Sequence, residues 1–196
     1  MSPKLNENAL KQLFLDARSH DVWLDKPVND KVIDEIYNIL KMGPTSANAC
    51  PARFIFVRSD VAKLKLKDCL ADGNIEKSMT APVVAIVGMD MEFYEQLPKL
   101  FPHTDARSWY AGNDEKIFET AFRNSTLQGA YLIMAIRSLG LDAGPMSGFD
   151  SERLDKAFFQ DTRIKSNFIC AFGYGDNNKL HPRGPRLEFS QACQIV

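Results

Sequence analysis

The stretch Asn113–Leu139, NDEKIFETAFRNSTLQGAYLIMAIRSL, decides the fold. Its pattern predicts one long helix, with Gly140 as the C′ residue that stops it. The first half is mixed in character. The second half, Ala130 to Ile136, is apolar nearly all round, which predicts burial on most of its sides. Burial that complete is easier in a dimer than in a monomer of this size. Strands and helices alternate elsewhere in the chain, but a helix of this length favours an α+β domain over a regular α/β one.

Toward the N-terminus, Asp90 to Tyr110 is irregular and rich in aromatics: Phe93, Tyr94, Phe101, Trp109 and Tyr110. A long segment without a clear period often covers a site. Pro82 to Gly88 reads as a buried strand around Val83–Val87. Ser59 is positioned to cap a helix reaching about Ala71, where Asp72-Gly73-Asn74 breaks it. Arg53 to Arg58 reads as a strand, and its unbroken apolar centre predicts burial on both faces. Asp30 is placed as the N-cap of a helix carrying Val32, Ile33, Ile36, Ile39 and Leu40 on its apolar side. Leu10, Leu13, Phe14 and Ala17 space a first helix that ends near Arg18-Ser19-His20.

Toward the C-terminus, Leu141 to Phe149 reads as a Gly/Pro/Ser loop, and Asp150 caps a short helix reaching Phe159. Phe168 to Phe172 forms a third strand, and an irregular tail follows from Gly173. No repeat or linker divides the chain, so residues 1–196 read as a single domain. Gly173-Tyr174-Gly175 lacks the third glycine and following helix of a dinucleotide fingerprint, which argues against a Rossmann site.

The 196 residues are 45% hydrophobic and 25% charged, enough for one sizeable core. A net charge of -1 gives no global attraction to nucleic acid or to an anionic membrane. Residues Met1 to Gln12 show no apolar leader segment, and no apolar run approaches the roughly 20 residues that span a bilayer. Cys50, Cys69, Cys170 and Cys193 are widely spaced, as are His20, His103 and His181, so neither a disulfide framework nor a metal site is indicated. A cytoplasmic protein with reduced thiols is the simplest expectation.

Gly43-Pro44-Thr45-Ser46-Ala47-Asn48 joins a helix to a strand. Pro44 pushes Gly43 out of the α region and so ends the helix. Thr45, Ser46 and Asn48 then offer hydroxyl and amide groups suited to the edge of a planar, heteroatom-rich ligand. The same residues also suit an ordinary polar turn.

Five segments in order, Arg18-Ser19-His20, Gly43 to Asn48, Asn74-x-x-Lys77, Pro145 to Asp150 and Arg183-x-Pro185-Arg186, resemble the FMN-dependent nitroreductase family. The resemblance runs from about Leu10 to Gln194. GPTSAN, LFPHTDARSW, ETAFRNS, AYLI, GPMSGFD and FGYGDNNKL carry a closer likeness to its RutE-type subgroup, the malonic semialdehyde reductases of pyrimidine breakdown. The resemblance implies a nitroreductase-like α+β fold, with a central mixed sheet surrounded by helices and the long helix at a homodimer interface. It implies FMN as cofactor, NADH or NADPH as co-substrate, and a ping-pong reduction of malonic semialdehyde to 3-hydroxypropanoate. A broad nitro or quinone reductase is the alternative acceptor class. A flavin-binding or flavin-degrading protein without turnover is the alternative of another kind.

The chemistry asked of these residues is specific. A phosphate dianion wants guanidinium groups, for which Arg18, Arg183 and Arg186 are the candidates, with the Ser19 hydroxyl and His20 in the same turn. Taken singly, each arginine is equally a solvated surface group. The family usually has further basic residues where Ala17 and Asp21 stand here. Pro44, Thr45, Ser46 and Asn48 fit ribityl and ring contacts, and by the resemblance Asn74 and Lys77 lie along the pyrimidine edge. Taken alone, Lys77 is equally an exposed helix lysine. A lysine about 4 Å from the charge that reduction places there contributes on the order of 4 kcal/mol at an effective dielectric of about 20. For a two-electron couple that is roughly 80 mV. Met146, Ser147 and Gly148 are implied beside flavin N5; the family often has glutamate where Ser147 stands, but the contact there comes from backbone N–H. Arg107 and His103 are candidates for a substrate carboxylate, or else surface residues. No side chain is assigned as the catalytic acid or base.

Overall fold

The computed structural model describes residues 3–196. They form, in chain order, α1 (Glu7–Leu10, continued by a π-helical turn over Lys11–Leu15), α2 (Asp30–Leu40), β1 (Ala52–Val57), α3 (Asp60–Lys67), α4 (Asp72–Thr80) and β2 (Val83–Asp90). There follow α5 (Leu97–Leu100), α6 (Asp114–Ser138), β3 (Asp142–Met146), α7 (Ser151–Phe158), β4 (Ile164–Gly173) and α8 (Phe189–Ala192).

The sheet runs in the order β1-β2-β4-β3. Strand β2 is buried along almost its whole length because alternate side chains enter two different layers. Val83, Ala85 and Val87 pack with Ile36 and Leu40 of α2 and with Leu132, Ala135 and Ile136 of α6. Val84 and Ile86 face the other way, onto Leu66 of α3, Leu154 of α7 and Trp23. Each valine, leucine or isoleucine among them contributes about 1.5–3 kcal/mol on full burial. A third cluster, around Phe93, Leu97, Tyr110, Ile117 and Ala121, fastens the aromatic segment to the N-terminal half of α6.

The expected α+β fold with its long helix is present, and Asn113 caps α6 by accepting from the Lys116 N–H. Among the described residues the strand ladders are all antiparallel, and the parallel part of the expected mixed sheet is a single bridge between Ser19 and Ala143. Leu141 to Phe149 is not a loop throughout: residues 142–146 form β3. Gly144 and Pro145 hid that strand, and Pro145 is tolerated because β3 is an edge. Phe168–Phe172 is the inner part of the longer β4. Strand β1 is only half-buried, since it lies at the other edge.

Ser59 caps α3 as expected, but that helix ends at Lys67, and Asp72 opens α4 rather than breaking a helix. Asn29, not Asp30, caps α2, its side chain accepting from the Val32 N–H. In α6 the uncovered apolar residues Phe118, Phe122 and Leu127 lie toward the first half, not in the Ala130–Ile136 run. Among the described residues, no helix is long and apolar enough to cross a membrane.

Candidate functional site

A cleft of about 170 Å³ opens at the β3 edge of the sheet, lined by Arg18, Ser19, His20, Asp21, Lys77, Pro145, Met146 and His181, among others. Three chain segments are stitched there. The His20 N–H donates to the Ala143 carbonyl (3.2 Å), which holds the Arg18–His20 turn on β3. Arg18 donates to the His181 carbonyl, and Arg183 donates to the Ala17 carbonyl at 3.1 Å. Each guanidinium carries five N–H donors, so most of its capacity stays available. Lys77 enters the same cleft from α4, whose end is held by Trp23 Nε1–H donating to the Lys77 carbonyl (2.9 Å).

The loop after β3 is tied to α4. Asn74 Nδ2 donates to the Gly148 carbonyl at 2.8 Å, and the Ala71 N–H donates to the same oxygen at 3.1 Å. A Cβ on Gly148 would strike that Asn74 amide, so the glycine here serves the Asn74 contact. Ser147 is exposed at the loop's tip.

Two of the expected cofactor contacts, His20 and Met146, line the cleft and also have side chains packed inward. The His20 ring is buried; its Nε2 lies 3.3 Å from the Asn177 side-chain oxygen, while its Nδ1, 3.4 Å from Asp142, makes no hydrogen bond. The Met146 side chain packs in the core beside the Ser78 hydroxyl. Arg186 folds onto the carbonyls of Gly184 and Pro185 in its own tail.

The polar loop lies elsewhere. Its anchors are on α6: the Tyr131 hydroxyl donates to the Pro44 carbonyl (2.9 Å), and the Ser46 N–H donates to Asn124 Oδ1 (2.8 Å). Thr45 Oγ1 accepts from the Cys50 N–H at 3.1 Å, and Asn48 Nδ2 donates to the Leu100 carbonyl at 2.9 Å. This loop leads into β1, whereas the cleft is built on β3, the opposite edge of the sheet. Three inter-strand spacings separate those edges, about 14 Å. The loop and the cleft therefore lie apart in one chain, and the cleft alone is well below the roughly 300 Å³ of a usual ligand pocket.

In the aromatic segment, Arg107 makes a two-pronged ion pair with Glu95 (2.7 and 2.8 Å). That pair lowers the Glu95 carboxyl pKa and raises that of Arg107. The guanidinium is thus already matched to a carboxylate. A larger groove of about 910 Å³ lies beside Lys26, Arg58 and Lys63, but its cations are engaged. Arg58 pairs with Asp30, Lys63 donates to the Met79 and Ala81 carbonyls, and Lys26 sits over the Tyr174 ring.

Sequence reasoning missed the braces: Asn177 on His20, and Asn124 with Gln128 on α6. The signal for the latter was two amides at i and i+4 on a helix face that burial makes costly for them.

The nitroreductase family model matches residues 17–174. A Burkholderia lata protein provisionally named NADH dehydrogenase/NAD(P)H nitroreductase is 60% identical over 97% of this chain and 98% of its own. Among solved structures, a provisionally named nitroreductase of Bacillus subtilis shares the fold at TM-score 0.89, with 20% identity over 97% of this chain and all of that one. One from Exiguobacterium sibiricum, solved in complex with FMN, aligns at TM-score 0.84, with 18% identity over 100% of this chain and 99% of that one.

Proposed function

Since the chain belongs to the nitroreductase family, we propose that it is an FMN-dependent NAD(P)H oxidoreductase acting as a homodimer, with malonic semialdehyde as its acceptor. The observation that carries the reading is the pair of half-sites at opposite sheet edges. One holds the cations Arg18 and Lys77, with Arg183 tied beside it to the Ala17 carbonyl; the other holds the hydroxyls and amides of Thr45, Ser46 and Asn48. A second copy places its loop over the first copy's cleft and makes one site of both.

The residues fit FMN by their donor chemistry. Arg18 and Arg183, each with spare N–H donors beside the exposed Ser19, suit the phosphate. Lys77 and the free Asn74 oxygen suit the pyrimidine edge, and the backbone of Met146–Gly148 suits the ring's central nitrogens. Bound FMN supplies hydride acceptance and donation; the chain supplies binding and electrostatics. The free thiols and the nicotinamide co-substrate suit a cytoplasmic setting.

The test is the absorbance spectrum of the purified protein, followed by anaerobic bleaching with NADH and NADPH. A yellow protein that either nucleotide bleaches is the expected result. A bound flavin that neither reduces means a flavin-binding protein without turnover. Engagement of Arg107 by Glu95 favours, as the second reading, a broad nitro or quinone reductase with no dedicated carboxylate clamp. Relative kcat/KM for semialdehyde against nitroarenes separates the two.

Lys77→Ala is expected to lower the potential of bound flavin by a few tens of millivolts, because its cation meets charge that exists only after reduction. Arg183→Ala is expected to weaken FMN retention about tenfold and leave the potential nearly unchanged, since a phosphate contact is the same in both redox states. Spectroelectrochemical titration with excess FMN compares them. Reversal of the two effects means that the roles are wrongly assigned.

A further inference from the structure

Between residues 45 and 50 the backbone does something that L-residues avoid. Ala47, Asn48 and Cys50 all have positive φ, at 49°, 50° and 42°. Such conformations persist only where the surroundings impose them. The loop's own closure, Cys50 N–H to Thr45 Oγ1, is one constraint. The others come from outside, and two of them come from buried amides on one face of α6.

Asn124 is 2% exposed and Gln128 5% exposed, one helical turn apart. Asn124 Oδ1 accepts from the Ser46 N–H (2.8 Å) while its Nδ2 donates to the Thr120 carbonyl (2.8 Å). Those two partners fix which way the amide faces, since an N–H needs an oxygen and a carbonyl needs a donor. Gln128 Oε1 accepts from the Ala52 N–H at 2.8 Å, just past the strained residues. The two amides therefore grip the loop on either side of its left-handed residues. A buried amide is expensive in an apolar helix face unless its hydrogen bonds are made, and here they are made to the loop.

We propose that Asn124 and Gln128 are positioning residues that hold the Pro44–Cys50 loop in the shape that receives the cofactor. This rests on the functional reading above, in which that loop covers the flavin. Neither amide touches the ligand. They act by keeping one loop conformation populated, so that little binding energy is spent on selecting it. When the competent fraction falls to about a tenth, the apparent Kd rises about tenfold.

Asn124→Ala and Gln128→Met each remove one acceptor. Two readouts are taken at a temperature where all variants are folded: hydrogen exchange of the cofactor-free protein, and FMN Kd by fluorescence quenching. Asn124→Ala is expected to speed exchange at Ser46 at least tenfold, and Gln128→Met at Ala52, with the amides of β2 unchanged. FMN Kd should rise about tenfold in both. If Asn124→Ala fails to fold, Gln128→Met carries the same test with a side chain of similar length. Unchanged exchange at the gripped amides, or faster exchange with unchanged FMN affinity, overturns the proposal. A wild type that takes up no FMN overturns the functional reading instead, and the exchange measurement still judges whether the amides grip the loop.

Discussion

Phe122→Asp is expected to yield a folded monomer that retains no flavin. The side chain is 48% exposed, next to Phe118 at 51% and Leu127 at 42%, and the two phenyl rings stack with centroids 5.9 Å apart. They line a groove of about 690 Å³ along α6, edged by Glu115, Glu119 and Arg123. Phe14, Leu15, Tyr37, Ile39, Leu187 and Phe189 are also exposed. An apolar stripe of this kind marks an interaction surface. Burying one phenylalanine contributes about 1.5–3 kcal/mol, and a two-fold interface counts each substitution twice. Losing both rings and placing two carboxylates there should weaken association by well over 100-fold. Flavin is expected to go with it, because in the proposed shared site each copy alone carries only half of the contacts. Sedimentation velocity at micromolar concentration, with absorbance at the flavin band, measures both. A flavin-loaded monomer would contradict the shared site.

The second large effect is expected at Gly144. A Cβ there would come within 3.0 Å of the His20 carbonyl oxygen, a backbone atom that no rotamer change can move away. The close approach exists because the turn carrying Arg18 and Ser19 is bonded to Ala143. Gly144→Ala should therefore cost about 3 kcal/mol or more and lift the phosphate-side residues off β3. Urea denaturation and FMN retention should fall together. Gly73→Ala is the control: nothing lies within 4 Å of its added Cβ, and a helical glycine replaced by alanine should gain about 0.5–1 kcal/mol. Equal losses at the two positions would mean that the approach at Gly144 is not what matters.

The large features were legible because they are written in periodicity. The span of α6, the burial of Val83–Val87 and the caps at Ser59 and Asp150 follow from local patterns, and the structure has them. Strand β3 was not legible, because Gly144 and Pro145 are poor strand formers, tolerated only through the edge position that tertiary structure gives them. Asn29 and Asp30 are both good caps, and only the geometry chooses between them. At the site, the residue types for a phosphate and a polar ring edge were readable. Which of them turn inward was not: the Cβ vectors at His20 and Met146 depend on how β3 and the preceding turn pair. The separation of the loop from the cleft was equally hidden, since strand order cannot be read from the strands themselves.

That separation has a consequence for damaged copies. In a dimer of the proposed kind, each site draws its loop from one chain and its arginines and lysine from the other. A chain with a ruined loop still has a sound cleft, and a chain with a ruined cleft still has a sound loop. When the two kinds of chain pair, both defects collect in one site and the other is made wholly of undamaged parts. Two alleles that are each dead alone would together restore half of the sites in every mixed pair. Two lesions in the same half-site could never rescue one another.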